Sequence, residues 1–178
     1  TDFHARFPDG ASIAPGAYQT IAVNGANYLN EFGFAADYEL NQSDATEDMR
    51  EAILGSINNQ AGISNAGEVI IMYHWDGMTD LVQDIDYVLW GDKAEAVTKT
   101  GVSIDGPDGD NTDSSYANDT DTASQDTTDT AAHAFGSSWQ RNDYNEGTEV
   151  TNGGNGINGS DETSENLSVT FAANAPTP

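Results

Sequence analysis

The sequence predicts a mostly-β fold with one or two short helices and long acidic loops that are rich in Gly, Asn and Asp. Three observations support this prediction. Turn signals such as Pro-Asp-Gly and Pro-Gly separate short segments in which polar and apolar residues alternate. The longest apolar region has the pattern of a β-hairpin. A segment with almost no apolar residues follows it, from Ser103 to Thr130.

In the first half of the chain, the alternating run Tyr18–Val23 predicts a strand. The segment "NGANYLNEFGF" predicts a short helix with Asn27 as its cap. The clearest helix is predicted for "SDATEDMREAIL", because Asp44 and Glu47 resemble a capping box and acidic residues fill the first turn. Three apolar residues would share one face of this helix: Met49, Ile53 and Leu54.

The middle of the chain predicts a hairpin. Glu68–Trp75 reads as one strand, Asp76-Gly77 as the turn and Leu81–Trp90 as the second strand. Because this is the longest apolar region, we expect it to form the heart of the core. About fifty loop-like residues follow, within which "VTKTGVSI" is a candidate strand. The strand-like "HAFGSSWQRND", the turn cluster "GGNGINGSD" and a short run over Leu167–Ala172 come after them.

The composition excludes several classes of partner. Thirty acidic residues and five basic ones among 178 give a formal net charge of −25. Nucleic acid and anionic membranes need a basic surface, so neither is expected as a direct partner. The charge favours cations instead. It suits a chain kept soluble in high salt or a chain with Ca²⁺ sites, and the two explanations are compatible.

Cysteine usage and the termini bear on location. The chain has no cysteine, which excludes disulfides and thiolate metal sites. No stretch approaches the roughly 20 apolar residues of a membrane span. The sequence starts at Thr1 without Met, which we interpret as a processed or partial chain. We therefore expect an extracellular or cell-surface protein whose signal peptide has been removed, with a linker or tail over residues 174–178.

Several segments follow one another in a distinctive order. They are "FPDGASIAPGAYQTIAV", "GISNAGEVIIMYHWDG", "LVQDIDYVLWGD" and, late in the chain, "GSSWQRND" before "NAPTP". This order resembles the lamin tail domain of bacterial extracellular proteins over residues 6–92 and 133–178, with residues 103–130 as an acidic loop insertion. The resemblance implies a single immunoglobulin-like β-sandwich over residues 1–178, without catalytic residues. Such domains often accompany secreted nuclease or phosphatase domains, or attach to cell surfaces.

The resemblance has one departure. The opening strands of the family are missing, because Thr1 begins just before the strand that should follow them. An open sandwich exposes sheet edges and apolar surface. Strand donation between subunits would cover both, and this gives the hypothesis of a filament or surface layer.

The acidic segment supplies the candidate metal ligands. Four aspartates are closely spaced around a Gly/Pro turn in "DGPDGDNTD", so several carboxylates can converge on one Ca²⁺ ion. The loop is not an EF-hand, because the Gly at loop position 6 and the Glu at position 12 are lacking. A solvated acidic loop is the alternative interpretation. The candidate ligands are Asp105, Asp108, Asp110 and Asp113.

Other constellations give weaker signals. Asp84 and Asp86 fall on one face of the second hairpin strand, where a solvent-facing or cation-binding pair is expected rather than an acid/base pair. No nucleophile elbow, zinc motif or phosphate loop occurs. Three tryptophans could form a carbohydrate platform if exposed, whereas core packing or an intersubunit contact is the alternative: Trp75, Trp90 and Trp139.

We therefore expect a non-catalytic structural or binding module that uses Ca²⁺ and associates with itself or with another extracellular protein. Two alternatives stay open at this point. One is an accessory domain of an extracellular nuclease or phosphatase. The other is a carbohydrate-binding module.

Overall fold

The computed structural model describes residues 2–177, which contain eleven short strands and two short helices. They form two compact units, one ending at Ile63 and the other spanning Ser64–Thr177. The mostly-β prediction is confirmed, and each sheet has only two or three strands. The single domain predicted over residues 1–178 stays a prediction. None of the described helices has the length and hydropathy that crossing a bilayer requires.

The first unit contains two small sheets and one helix. β2, β3 and β4 form a parallel sheet, and β1 pairs with β5 in the antiparallel sense. Its core is a cluster of buried apolar residues from β3 and the segments around it: Tyr38, Leu40, Met49, Ile57 and Ala61. The elements are β1 (Ala5–Arg6), β2 (Ile21–Asn24), α1 (Gly25–Phe32), β3 (Tyr38–Asn41), β4 (Glu47–Asp48) and β5 (Arg50–Glu51).

Helix α1 confirms the first predicted helix but not its cap. The cap is Asn24 rather than Asn27, because the Asn24 side chain accepts a hydrogen bond from the Asn27 backbone N–H at 2.9 Å. The helix ends at Phe32. Its C-cap is Gly33, which has a φ of 80° and whose N–H donates to the Leu29 carbonyl.

The helix predicted over "SDATEDMREAIL" is wrong. This segment forms β4 and β5 instead, and Asp44 has a φ of 60°, outside the helical region. The buried Glu39 carboxylate accepts hydrogen bonds from the Ser43 N–H and hydroxyl and from the Gly25 N–H, which holds the chain in a turn at Ser43. Pairing of β4 with β3 then outweighs the local helix propensity. Leu54 is 97% exposed, so the predicted apolar face does not form.

The second unit is built on the predicted hairpin. β6 and β7 pair along their whole length, and β7 supplies Tyr87 and Leu89 to a core that also contains Leu167. This confirms the hairpin as the heart of that core. The elements are β6 (Gly67–His74), β7 (Gln83–Gly91), β8 (Ser103–Ile104), β9 (Ser114–Ser115), β10 (Ser138–Arg141), a 3-10 turn (Glu162–Ser164), α2 (Leu167–Thr170) and β11 (Phe171–Asn174).

A register shift between Met72 and Tyr73 interrupts the hairpin. Strict alternation would put Asp84 and Tyr87 on opposite faces, yet both are buried. The shift therefore allows a carboxylate to enter the interior beside the apolar core.

The acidic segment 103–130 is only partly a solvated loop. Its second half runs along the end of β7, where the Thr128 N–H donates to the Leu89 carbonyl and the Gly91 N–H donates to the Asp129 carbonyl. Gln125 is buried, and its side chain accepts a hydrogen bond from the Tyr87 hydroxyl at 2.8 Å. Backbone pairing and buried polar contacts thus hold this half in place.

Candidate metal centre and adjacent cleft

The loop of the hairpin is shaped by Asp76. Its Oδ1 accepts hydrogen bonds from the Met78 N–H and from the N–H and hydroxyl of Thr79, at 2.8–2.9 Å. These bonds lower the pKa of Asp76, the one from the Thr79 N–H most strongly. The Trp75 indole N–H donates to the Thr79 carbonyl at 2.8 Å. The loop is therefore ordered at the point where Asp80 leaves it.

Asp80 joins the hairpin loop to the acidic segment. One of its carboxylate oxygens accepts the Gly106 N–H at 2.8 Å, and the other accepts the Ser114 hydroxyl. The hydrogen bond from Ser114 and then that from Gly106 lower the pKa of Asp80. A Cβ on Gly106 would lie 2.6 Å from the Asp80 Cα, so only glycine permits this approach.

Three carboxylates converge at this junction. Asp80, Asp105 and Asp108 each place one oxygen within 4.8 Å of the others. Two of the four predicted ligands, Asp105 and Asp108, are thus brought together. Asp110 and Asp113 lie outside the group of three, and the Asp110 Oδ1 accepts the Thr112 N–H at 2.8 Å. We call Asp80, Asp105 and Asp108 the Asp80 group.

The charges of this region act on one another. Removal from water and then the charges of neighbouring carboxylates raise the pKa of Asp105; these carboxylates are Asp80, Asp113, Asp108 and Asp110. A hard cation such as Ca²⁺ would relieve this repulsion and would find the oxygen ligands it prefers. Asp80 is not among the predicted ligands, although "DGMTD" in the hairpin loop ends on it.

A cleft of about 560 Å³ opens beside the Asp80 group. Its lining includes the group members Asp80 and Asp108, the aromatic residues Trp75 and Tyr116, and the chain around Asn155. Trp75 is 47% exposed, whereas Trp90 is buried and its indole N–H donates to the Ser64 carbonyl. One of the three tryptophans, rather than a platform of three, is therefore available in the cleft.

The wall of the cleft around Asn155 is fixed by hydrogen bonds. The Asn155 side chain accepts the Ala117 N–H at 2.8 Å and donates to the Ala117 carbonyl and to Asp119. Its backbone carbonyl accepts the Asp84 N–H at 2.9 Å. This wall is preorganised, because the backbone and the amide group are both held.

Asp84 and Asp86 bind separate side-chain cations. Asp84 is buried, and its Oδ2 lies 2.6 Å from Lys99 Nζ. Asp86 Oδ1 lies 2.7 Å from Arg141 Nη2. Both carboxylates are thus paired with basic side chains of the chain itself, and the solvent-facing interpretation is wrong for Asp84 because it is buried.

A second group of carboxylates lies in the same unit, formed by Glu146, Glu149 and Glu162, with one oxygen of each within 4.8 Å of the others. Burial is the main cause that raises the pKa of Glu162 to about 7, and it also raises that of Glu149. The Ser160 hydroxyl donates to Glu162 at 2.6 Å. Nothing in the sequence spacing indicated this group, because a 3-10 turn brings Glu162 to it.

Comparison of the chain with family models, with curated proteins and with solved structures finds no match.

Proposed function

We propose that this protein is a non-catalytic, Ca²⁺-assisted binding module of the secreted or cell-surface type, and that its cleft binds carbohydrate. One observation carries the proposal: Asp80 and Asp108 of the Asp80 group and the half-exposed Trp75 ring line the same cleft. A cation site and an aromatic surface within one cleft suit a ligand that has both hydroxyl groups and an apolar face.

The Asp80 group supports the choice of Ca²⁺. It offers three carboxylates in an irregular loop, and Ca²⁺ accepts flexible geometry with many oxygen ligands. Mg²⁺ demands near-ideal octahedral geometry and gives up its water reluctantly, so it fits such a loop less well. The bound ion would fasten the hairpin loop to the acidic segment through residues of both.

The lining of the cleft supports carbohydrate as the ligand class. The half-exposed Trp75 offers a ring face on which a sugar ring can stack. Carboxylates of the Asp80 group can accept hydrogen bonds from sugar hydroxyls, directly or through Ca²⁺. The net charge of −25 disfavours phosphorylated or sulfated ligands.

The cation is tested by thermal unfolding in about 5–10 mM Ca²⁺, roughly saturating for an extracellular-class site, against EDTA at matched ionic strength. We expect Ca²⁺ to raise the melting temperature of the native chain and to raise that of Asp80→Asn much less. Glu95→Gln, which removes one exposed charge outside both carboxylate groups, is the matched control and should respond as the native chain does. An equal response to Ca²⁺ and to matched NaCl would refute the cation site.

The ligand class is tested on an array of neutral and anionic glycans, with Ca²⁺ or with EDTA. We expect binding to neutral glycans in Ca²⁺. For Trp75→Ala we expect affinity to fall by about 5- to 150-fold, if a sugar ring stacks with the roughly 1–3 kcal/mol that a nucleic-acid base contributes on an aromatic side chain. Phe135→Ala changes a fully exposed aromatic residue outside the cleft and should leave binding unchanged. Failure of every neutral glycan to bind would reject carbohydrate while leaving the Ca²⁺ test intact.

Self-assembly by strand addition is a second candidate function, and one observation favours it. In the described residues β6 pairs with β7 alone, and its outward residues Ile70 and Met72 are 40% and 46% exposed. An edge strand with apolar residues is a template for pairing with another chain. We expect native particles larger than a monomer in light scattering and a shift to the monomer for Ile70→Lys. A native chain that is monomeric at all concentrations would reject this candidate.

We also propose an immunoglobulin-like sandwich of the lamin-tail type over residues 1–178, as the resemblance over residues 6–92 and 133–178 implies. Two features support the proposal: the β6–β7 hairpin, and the pairing of β10, which contains "SWQR", with β11 near the end of the chain. An experimental structure in Ca²⁺ tests it, because a sandwich requires two sheets packed face to face at about 10 Å.

A further inference from the structure

A partly buried amine lies between two buried carboxylates in the second unit. Lys99 Nζ is 2.6 Å from Asp84 Oδ2 and 3.2 Å from Asp119 Oδ2. The side chains of Asp84 and Asp119 are 4% and 1% exposed, and that of Lys99 is 19% exposed. The ring of Tyr116 lies over the amine, 5.9 Å from its centre to Nζ. Water has little access to the three groups.

Hydrogen bonds around the three groups hold them in place. The Asp84 N–H donates to the Asn155 carbonyl, and the Asp84 carbonyl accepts the Ile157 N–H. Asp119 accepts the Lys99 backbone N–H at 2.6 Å and the Asn155 side-chain N–H at 2.6 Å. Because the amine is held at hydrogen-bond distance from the carboxyl group, the reaction does not require the loss of translational and rotational entropy that bringing two free molecules together would require.

The two carboxylates differ in their environments. Asp119 accepts two N–H donors, one from the Lys99 backbone and one from the Asn155 side chain. Asp84 receives its side-chain hydrogen bond from Lys99, and burial raises its pKa. Burial thus favours the neutral form of Asp84, and Asp119 lies on the other side of the amine, 3.2 Å from Lys99 Nζ and within reach of its protons.

We propose that Lys99 and Asp84 condense to form an intramolecular isopeptide bond, with Asp119 as the proton relay. Asp119 takes a proton from the ammonium group, and the freed amine attacks Cγ of Asp84. The bond between Cγ and Oδ2 then breaks, and this oxygen leaves as water with the two hydrogens that the nitrogen loses. The ammonium and the carboxylate become a neutral amide plus water, and Asp119 ends as it began.

Burial supplies a driving force for this reaction. When an ion pair is removed from water, the attraction between the two charges offsets only part of the solvation free energy that they lose. A neutral amide carries no such cost, and the released water leaves to the solvent. The bond would join β7 to the segment after it and would close the chain between residues 84 and 99 into a ring. It does not depend on the Asp80 group or on the proposed ligand.

The test is mass spectrometry of the folded native chain after denaturation. We expect the intact mass to be one water molecule lower than the mass calculated for the unmodified sequence. Tryptic digestion should leave Lys99 uncut, with the peptide 51–93 joined to the peptide 94–141. Fragmentation should place the link between Asp84 and Lys99.

Two variants separate this bond from other losses of water. Aspartates before glycine, such as Asp76, Asp105 and Asp108, can also lose water by cyclising, and this loss would persist in Lys99→Arg. In Lys99→Arg and Asp119→Asn we expect no loss of water at Asp84. Circular dichroism checks that both variants fold. A folded native chain with the full mass and with cleavage after Lys99 would overturn the proposal, even if a variant failed to fold. A link to a residue other than Asp84 would overturn it as well.

Discussion

Gly106 lies where the acidic segment meets the hairpin loop. A Cβ at this position would lie 2.6 Å from the Asp80 Cα and 2.9 Å from the Thr79 carbonyl oxygen. Because both neighbours are backbone atoms, neither can move aside cheaply. The absence of a side chain at Gly106 is therefore a condition for the Asp80 group.

Gly106→Ala tests this condition. We expect a loss of about 1–3 kcal/mol in the free energy of unfolding, as for other overpacked sites, together with weaker Ca²⁺ binding. Gly109→Ala is the matched control, because a Cβ at Gly109 meets nothing within 4 Å. Urea unfolding and calorimetric Ca²⁺ titration measure the two effects. Equal behaviour of the two variants would contradict the tight approach.

Glu162 links stability to pH. Its pKa is about 7 in the folded protein, above the ordinary 4.5, mainly because it is buried. The folded chain therefore holds this proton more tightly than the unfolded chain does. The contribution of Glu162 to stability is present in full below about pH 4.5 and is lost as the pH rises to about 7.

Replacing Glu162 by Gln should remove this pH dependence. In EDTA we expect Glu162→Gln to be more stable than the native chain at about pH 8, by up to roughly 3 kcal/mol, and close to it at about pH 4.5. Urea unfolding at the two pH values measures the difference. Glu95→Gln, at an exposed position, should track the native chain. A gap between Glu162→Gln and the native chain that does not grow with pH would refute the assignment.

At the scale of elements, Arg141 connects β10 with β7 and with the segment after the 3-10 turn. Its guanidinium binds Asp86 at 2.7 Å and also binds the buried Glu165, and it lies 4.6 Å from the centre of the Phe171 ring. Glu165 also accepts the Thr170 hydroxyl at 2.6 Å. One cation thus balances carboxylates from two elements.

Arg141→Met should cost about 3–5 kcal/mol, because it leaves Glu165 buried without its cation. Adding Glu165→Gln should recover part of the loss, since the uncompensated charge is then removed. Arg50→Met is the control: its pair with Glu47 is exposed and 3.5 Å long, so we expect a loss below about 1 kcal/mol. Urea unfolding compares the four chains. The absence of any recovery in the double variant would show that packing, not charge, is lost.

The elements differ in how far the sequence predicts them. The β6–β7 hairpin was predictable because its apolar alternation is long and its turn contains Asp-Gly. The segment around Asp44 was not, because its helix signals are outweighed by the pairing of β4 with β3 and by the hydrogen bonds of Ser43 to the Glu39 carboxylate. The burial of Asp84 could not be predicted either, because no residue type in the sequence indicates the register shift that accompanies it.

At the scale of the whole molecule, the sequence predicts acidity and a cation site more readily than it predicts the full set of ligands. Asp105 and Asp108 are close in sequence, so their convergence was expected. Asp80 is more than twenty residues away and reaches them only because the hairpin loop folds against the acidic segment. The role of Asp119 depends in the same way on Lys99 and Asn155.

The two units should respond differently to Ca²⁺. Both carboxylate groups lie in the second unit, so we expect slower hydrogen exchange there and little change in residues 2–63. At about 100-fold excess over Kd, amides that exchange through unfolding of the second unit should slow by about 100-fold. Hydrogen exchange read by mass spectrometry measures this, with Mg²⁺ as the control. Equal slowing in both units would indicate a general effect of charge.

The unequal burial of the three tryptophans gives the chain a built-in optical reporter. Trp75 is half-exposed in the cleft, Trp90 is buried, and Trp139 packs edge-on against His133. The red edge of the emission spectrum should therefore come mainly from Trp75, and a ligand that covers this ring should shift it to the blue. Acrylamide is the quencher of choice, because the net charge of −25 repels iodide from the surface. Occupancy of the cleft can thus be followed without a label.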